Sequence, residues 1–397
     1  MAAKATIAIA SNGFGDGPAQ ALRDYLLARG ESLVTILHPL TPEEGTHHVV
    51  TTYVDGACIG ERIRRSPLRP PASYALDPLI PLLPPRVDAW FGFNPLACGR
   101  GLVARKLGRA ERVVLWSVDF VPDRFGAGTI ATSLYDRLDR HCCQAVDLHV
   151  ELTETARAAR LRRHGLGAAS TPAHVVPMGA WLDRVVTTTP DGYSRRRVVY
   201  LGHLVSRQGV EMLLDALAVL RGRDEEITAD VIGTGPLEAH LRDRAVRLGL
   251  GDVVRFHGFV ADHRDVERML AEASIAVAPY RSGDDTFTRY ADPGKLKAYL
   301  AAGLPILLTD VPPNAHELAR EAGAEIVDYD ASAIAEAISR GLDSVDAWQQ
   351  RRSAALAYVR QFDWPVLLAP VLDRLALDSH RPPGDEGSSS PRTKPSR

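Results

Sequence analysis

Two lysines stand close together in a chain that otherwise takes its positive charge from arginine. Lys295 and Lys297 are two of only five lysines among 47 Lys and Arg residues. Asp292 and Pro293 before them predict a helix with Asp292 as N-cap and Pro293 in its first position, ending near Gly303. Cations are disfavoured at the start of a helix, where the dipole is positive. An anionic ligand bound at the helix start would remove this conflict, and we expect it at Lys295 more than at Lys297. The alternative is that both lysines are solvated surface residues.

Three glycine-rich turns each follow a predicted strand and precede a predicted helix, where backbone N–H groups can approach a phosphate or a sugar. The first, SNGFGDG, fits neither the G-x-G-x-x-G pattern nor the Walker pattern, and a plain tight turn is an equal alternative. The other two lie in VVYLGHLVSRQG and DVIGTGP. The candidate ligand-binding glycines are Gly13, Gly15, Gly17, Gly202, Gly233 and Gly235.

Several acidic and hydroxyl side chains are candidates for acid–base chemistry or for hydrogen bonding to a ligand. Asp119, in WSVDFVP, ends a predicted central strand and is a candidate general base; an ion pair with Arg124 is the alternative. Asp16, in the first glycine turn, is a second candidate base. Asp284 and Thr286 precede the lysine helix and are candidate hydrogen-bond partners for a polar ligand, unless they belong to an acidic surface loop. No D-x-D pattern occurs in this loop, so neither a metal nor another cofactor is predicted.

The elements that position these residues alternate between apolar strands and amphipathic helices, which favours parallel sheets covered on both faces. The alternation pauses at TTTPDGYSRRR and then resumes. We predict an α/β fold with two doubly wound Rossmann-like domains that face a cleft. The predicted parts are a first domain (1–186), a second domain (187–362), a last helical segment (363–378) and a disordered tail (379–397).

Composition narrows the class of protein. The 397 residues carry a net charge of −2, which argues against nucleic-acid binding. The four cysteines show no C-x-x-C spacing, so we expect reduced thiols and a cytoplasmic location. No apolar run approaches the ~18–20 residues of a membrane span, although a peripheral membrane contact stays possible.

The ordered motifs from residue 195 to about 375 resemble the nucleotide-binding domain of GT-B glycosyltransferases, in particular family 4, the glycosyl transferases group 1. They are G-x-L-x-x-x-x-G, V-I-G-x-G-P, R-F-H-G-F-V, a strand ending in Pro-Tyr, and A-A-G-L-P-I. VVPMGAW resembles the segment that closes the first domain of this family, and FDW the start of its crossover helix. The resemblance implies the GT-B arrangement: an acceptor-binding first domain (1–186), a nucleotide-sugar-binding second domain (187–362) and a C-terminal helix (363–378) that crosses back to the first domain. To the donor site we assign Gly202, His203, Arg207, Gly233, Gly235, Phe259, Asp284, Thr286, Asp292, Lys295 and Lys297. Asp284 and Thr286 are expected to contact hydroxyls of the donor sugar.

The chain departs from the family at four positions. An arginine and a lysine that hold the donor diphosphate in the family are His203 and Gln208 here, and Arg207 lies beside the second. Two glutamates of its retaining members are Tyr290 and Ala298. Their absence favours inversion, with the stereochemistry left open. The D-P-x-K spacing resembles a variant of other bacterial GT-B transferases, in which Pro and Lys replace the first part of the glutamate motif.

These features predict an enzyme that transfers a sugar from a nucleoside-diphosphate-sugar to a hydroxyl of a glycan, a lipid-linked acceptor or a small molecule. Hinge closure between the two domains would exclude water, the competing acceptor. Two alternatives stay open at this point: a GT-B-like binding or accessory protein that has lost catalysis, which the four departures favour, and a sugar-nucleotide epimerase.

Overall fold

The described residues of the chain form two separate β-sheets. The computed structural model describes residues 6–13, 17–75, 86–167, 171–283, 290–375 and 377. The first sheet has the order β4-β3-β2-β1-β5-β6-β7-β8. Its strands are β1 Thr6–Asn12, β2 Ser32–His38, β3 His47–Val54, β4 Ala57–Arg65, β5 Val87–Phe93, β6 Ala110–Ser117, β7 Leu148–Glu151 and β8 Ala173–Val175.

Most strands of the first sheet are parallel, as their apolar runs predicted, but one edge is antiparallel. β3 pairs antiparallel with both β2 and β4. Asp55 and Gly56 turn the chain between β3 and β4, both with positive φ, as a two-residue hairpin requires. The prediction of a wholly parallel sheet is therefore wrong at this edge. β4 is exposed along its whole length and carries no buried apolar face to reveal it in the sequence.

The second sheet is parallel throughout, with the order β11-β10-β9-β12-β13-β14. Its strands are β9 Arg197–Leu201, β10 Thr228–Ile232, β11 Val254–Gly258, β12 Ile275–Ala278, β13 Ile306–Leu308 and β14 Glu325–Ile326. The first sheet ends at Val175 and the second begins at Arg197, so the boundary predicted near residue 186 falls between them and stays a prediction.

Helices connect the strands and cover both faces of each sheet, which gives every sheet two apolar cores. In the first domain they are α1 Pro18–Ala28, α2 Pro95–Lys106, α3 Ile130–Ala145 and α4 Glu154–His164. The others are α5 Val210–Arg221, α6 Glu238–Arg247, α7 His263–Ala271, α8 Gly294–Ala301, α9 Ala315–Glu321, α10 Ala331–Gly341, α11 Val345–Tyr358 and α12 Trp364–Arg374.

The last helix returns to the first domain. Trp364, Leu368 and Val371 of α12 are buried in the core that also contains α1. The segment that leaves the first domain pairs with the start of this helix through two backbone hydrogen bonds of Ala180. Its N–H donates to the Phe362 carbonyl, and its carbonyl accepts from the Trp364 N–H. The predicted α/β class, with two Rossmann-like domains and a crossover helix, is confirmed. The tail from 379 lies outside the described residues.

Candidate donor site

A cavity of about 380 Å³, which we call the first cavity, lies where the carboxyl ends of the two sheets meet. Val118 and Leu152 line it at the ends of β6 and β7. Gly202, Gln208 and Lys295 line it from the second domain. Parallel α/β sheets bind their ligands beyond the carboxyl ends of their strands, so this cavity is where a ligand shared by the two domains is expected.

Lys295 is a cation surrounded by neutral groups. Its Nζ donates to Gln208 Oε1 at 2.6 Å and to Tyr200 Oη at 3.2 Å. The same atom lies 4.2 Å from the centre of the Tyr200 ring and 5.2 Å from that of Tyr280. In the part of the chain that the structure describes, no carboxylate pairs with it, and burial lowers the pKa of Lys295 to about 7. A bound anion would supply the missing countercharge.

The glycines beside Lys295 are required by close packing of the two turns. Gly202 and Gly233 have φ of +139° and +127°, and a Cβ on Gly202 would lie 2.7 Å from Lys295 Nζ. A Cβ on Gly233 would come within 2.1 Å of the Gly202 carbonyl oxygen, and one on Gly235 within 2.5 Å of the Leu204 carbonyl oxygen. Because glycine has no Cβ, the turns after β9 and β10 can pack together next to the ammonium. A direct role of the glycines in donor binding stays a prediction.

The lysine helix starts later than the sequence suggested. α8 begins at Gly294 with Pro293 as its N-cap residue, and no side chain caps it. The prediction of Asp292 as N-cap and Pro293 as first helical residue is therefore wrong. The end is as expected: the helix stops at Ala301, and Gly303 follows with φ of +73°. Lys295 is then the second helical residue, and Lys297 lies one turn into the helix.

Lys297 and Asp292 form a buried ion pair. The Lys297 side chain is 2% exposed, its Nζ lies 2.7 Å from Asp292 Oδ1, and it sits 4.4 Å from the centre of the Phe362 ring. The other oxygen of Asp292 accepts a hydrogen bond from Met178 N–H at 2.7 Å, on the segment that leaves the first domain. The surface alternative for Lys297 is wrong. Both charges are neutralised by each other, so the pair ties α8 to the linking segment, and donor contact by either residue stays a prediction.

Asp119 lies just beyond β6 and is partly exposed. One of its carboxylate oxygens forms an ion pair with Arg124 Nη2, which is the alternative that the sequence left open. Buried Arg160 holds the main chain at this point. Its Nη2 donates to the Asp119 carbonyl at 2.7 Å and to the Ser117 hydroxyl. Arg160 is itself paired with Glu151. A rigid carboxylate at the strand end suits a base, and this role stays a prediction.

The other predicted residues differ in their exposure and contacts. His203 is exposed, Phe259 is 76% exposed, and Arg207 is half-buried. Gly13 has φ of +103° and donates its N–H to the His38 carbonyl, and Gly17 is the N-cap residue of α1. Gly15, Asp16, Asp284 and Thr286 lie outside the described residues.

A second cavity, of about 310 Å³, lies on the other side of Lys295. Gly17 and Gln20 of the α1 region line it from the first domain, Trp181 from the linking segment, and Glu267 of α7 and Ala298 of α8 from the second domain. Glu267 was missed in the sequence, as were Tyr280 of the first cavity and Tyr200, which contacts Lys295 Nζ. The available signal is a polar group among apolar neighbours: Glu267 follows Val266 on the buried side of α7, Tyr200 lies in β9, and Tyr280 follows β12.

The described residues show neither a metal cluster nor a membrane-spanning helix. Among them, no group of three or more His, Cys, Asp and Glu side chains is arranged to hold a metal ion. None of the helices described combines the length and the apolar character needed to cross a bilayer. A peripheral membrane contact receives no support from either observation.

Comparison with known proteins identifies the family that the second domain matches. Residues 195–344 match the family described as glycosyl transferases group 1. The D-inositol 3-phosphate glycosyltransferase of Streptomyces griseus is 27% identical over 197 residues, covering 46% of this chain and 40% of that protein. The chain thus spans less than half the length of this relative. The resemblance drawn from the motifs is confirmed for the second domain.

Solved structures extend the likeness to the whole fold. Sucrose-phosphate synthase from Thermosynechococcus elongatus superposes with a TM-score of 0.68 at 18% identity, covering 95% of this chain and 100% of that chain. Anabaena HepE in complex with UDP gives a TM-score of 0.65 at 15% identity, covering 94% and 99%. At this identity the likeness concerns the fold alone, and it confirms the GT-B architecture.

Proposed function

We propose that this chain, whose residues 195–344 carry a domain of the glycosyl transferases group 1, transfers a sugar from a nucleoside-diphosphate-sugar to an acceptor hydroxyl. The observation that carries the proposal is the Lys295 ammonium, which lies between the two cavities and against the glycine turns, with neutral partners among the described residues. A diphosphate is the anion that suits this position in a GT-B domain. The UDP bound by HepE is consistent with such a donor.

Lys295 would act mainly on the leaving group. As the bond between the sugar and the diphosphate breaks, negative charge grows on the diphosphate oxygen. A fixed cation in a site shielded from water stabilises that charge more than the ground state. Gln208 and Tyr200 hold the ammonium in place through their oxygens, so the charge need not reorganise during the reaction. In this proposal the lysine supplies the positive charge and no metal ion is required.

The acceptor would bind to the first domain, with Asp119 as general base. The acceptor oxygen attacks the anomeric carbon, the bond from that carbon to the diphosphate oxygen breaks with its electron pair, and the hydroxyl proton passes to the Asp119 carboxylate. Arg124 forms an ion pair with this carboxylate and holds its position. Asp16 remains a second candidate. The acceptor is proposed to be a glycan, a lipid-linked molecule or a small hydroxyl compound, in the cytoplasm.

The test is a binding and turnover screen with UDP-, GDP- and dTDP-sugars. We expect at least one donor to raise the melting temperature and to be hydrolysed slowly to the nucleoside diphosphate without an acceptor. Lys295→Ala should abolish both effects, whereas Lys106→Ala, on the exposed end of α2, should change neither.

The outcomes separate the three hypotheses. If no sugar nucleotide binds, both enzyme hypotheses are refuted. If a donor binds but is neither hydrolysed nor transferred, the chain is a binding or accessory protein. If the sugar nucleotide is returned with one centre inverted, it is an epimerase.

A further inference from the structure

Tyr290, just before the lysine helix, is held by the first domain through both its ring and its main chain. The centre of the ring lies 5.3 Å from that of Phe120 in an edge-to-face arrangement, and it packs on a small apolar cluster that also contains Ala156 and Ala159 of α4. The hydroxyl of Thr153, the N-cap residue of α4, donates to the Tyr290 carbonyl at 3.0 Å. The second domain therefore contacts the first directly before α8.

The first-domain side of this contact belongs to the same segment as the candidate base. Phe120 directly follows Asp119 and is 6% exposed. The guanidinium of Arg160 lies 5.1 Å from the centre of the Phe120 ring, and it also donates to the Asp119 carbonyl. Arg160 is held in turn by a buried ion pair with Asp139. Tyr290 thus packs on a rigid part of the first domain, one residue away from the candidate base.

The second-domain side of the contact leads directly to the candidate cation. Lys295 follows Tyr290 by five residues, so the main chain between them spans at most about 18 Å. Asp292, which lies between them, is fixed to α8 by its ion pair with Lys297 and to the linking segment by the Met178 N–H. A shift of Tyr290 relative to the first domain therefore moves the start of α8, and Lys295 with it.

Sugar transfer needs the base and the cation in place at the same time. In the proposed reaction Asp119 takes the acceptor proton while Lys295 stabilises the departing diphosphate, so both must reach the same donor sugar and its leaving group. The base belongs to the first domain and the cation to the second, so their separation depends on how the domains are held together. Misplacing a reacting group by about 1 Å can slow a reaction about a hundredfold.

We propose that Tyr290 is a positioning residue, whose ring sets the distance between Lys295 and Asp119 by docking on the first domain. It does so without contacting the donor. This inference rests on the proposed function and adds a residue outside the donor site. Retaining members of the family carry a glutamate at this position, but the surface that receives Tyr290 is apolar, and a carboxylate there would lose its hydration without gaining a partner. The tyrosine therefore performs a different task from that glutamate.

The experiment compares Tyr290→Ala and Tyr290→Phe with the wild type, using the UDP-, GDP- or dTDP-sugar that the wild type binds. Tyr290→Ala should slow turnover at saturating donor about tenfold to a hundredfold, measured as transfer or donor hydrolysis, while donor affinity by calorimetry stays within about threefold. Tyr290→Phe should keep turnover within about twofold of the wild type, because the ring and the main-chain carbonyl remain. Tyr193→Ala is the matched control: Tyr193 is also half-buried but packs on Trp348 within the second domain, so its loss should leave turnover unchanged.

A second measurement does not depend on turnover. Without the ring the contact between the domains is weaker, so small-angle X-ray scattering of free Tyr290→Ala should give a larger radius of gyration than the wild type. Tyr290→Phe and Tyr193→Ala should keep the wild-type radius. Phe120→Ala removes the same contact from the other side, so Phe120→Ala/Tyr290→Ala should turn over no more slowly than the slower single variant, as expected of two residues that act through one contact.

The results separate the two proposals. If the wild type binds no sugar nucleotide or does not turn one over, the proposed function fails and this inference fails with it. If the wild type is active and Tyr290→Ala is as fast, or has the same radius of gyration, only the inference is refuted. Equal losses of donor affinity and turnover would refute it in favour of direct donor contact, and a slow Tyr290→Phe would refute it in favour of a role for the hydroxyl. A cooperative melting curve identifies each variant as folded.

Discussion

Replacing Lys295 with methionine should make the free protein more stable while it destroys donor binding. The ammonium is held among two aromatic rings and an amide, with no carboxylate partner in the described part of the chain. Methionine has nearly the same length and no charge. A group that is positioned to bind a ligand and lowers the stability of the free protein produces such a trade-off between stability and function.

The magnitude follows from the pKa. Lowering the pKa of Lys295 from 10.5 to about 7 corresponds to roughly 4 to 5 kcal/mol when the ammonium is charged. Part of the side chain reaches solvent through the cavities, and the variant also loses two hydrogen bonds and the ring contacts. We therefore expect a net gain of about 1 to 2 kcal/mol, or a rise in Tm of about 2 to 5 °C.

The pH dependence identifies the cause. Between pH 7 and 10.5 the unfolded chain holds the Lys295 proton and the folded chain does not, so wild-type stability rises with pH across this window. The advantage of Lys295→Met should be largest at pH 6.5 and mostly gone by pH 9.5, in urea or thermal unfolding. Lys106→Met, at an exposed lysine, should show no such trend. A variant less stable than the wild type at pH 6.5, or an advantage independent of pH, would refute the reasoning.

Three further predictions concern the same cleft. Affinity for a nucleotide sugar should fall as pH rises above 7, with proton uptake on binding, because the pKa of Lys295 is about 7 in the free protein. The diphosphate diester of the nucleotide sugar does not titrate in this range, so pH-independent binding would contradict the prediction. Asp119→Asn should lower transfer about a hundredfold or more and leave donor affinity within about twofold, and undiminished transfer would rule out the base. Lys297→Met should lower the free energy of unfolding in urea by about 3 kcal/mol, because Asp292 is left charged and buried. The double variant Asp292→Asn/Lys297→Met should recover most of this loss, and a loss below about 1 kcal/mol would argue against a stabilising ion pair.

The fold was largely predictable because burial leaves a direct mark on the sequence. Strands such as β1 and β5 are buried on both faces and appear as apolar runs between glycine turns and amphipathic helices. β4 left no such mark, since all its residues are exposed and its place depends on the hairpin with β3. β8 has three half-buried residues, too few for a periodic signal. What was missed is held by backbone pairing rather than by side-chain burial.

The site was predictable only where a residue conflicts with its local surroundings. Lys295 stood out because a cation at a helix start is unfavourable. In the sequence Lys297 looked equivalent to Lys295. Because the helix begins at Gly294, Lys297 is buried in the core with Leu296 and Leu300, whereas Lys295 and Ala298 line the cavity. Which face each lysine takes depends on how α8 packs. Glu267 likewise looks like an ordinary helical acid until α7 is placed against α8.

If Lys295 takes the place of the lysine that the family carries at position 208, exchanging the residues at 295 and 208 should preserve donor binding. The Lys295 ammonium lies 2.6 Å from Gln208 Oε1, so a lysine at 208 would put its charge into nearly the same space. Lys295→Gln should weaken donor binding about tenfold to a hundredfold, and Lys295→Gln/Gln208→Lys should restore it to within a few-fold, measured by calorimetry. Gln208→Lys alone is the control: two adjacent ammonium groups repel, so it should be less stable than the double variant. A double variant that folds and still binds as weakly as Lys295→Gln would mean that the site needs Lys295 itself, and that the charge has not moved from 208.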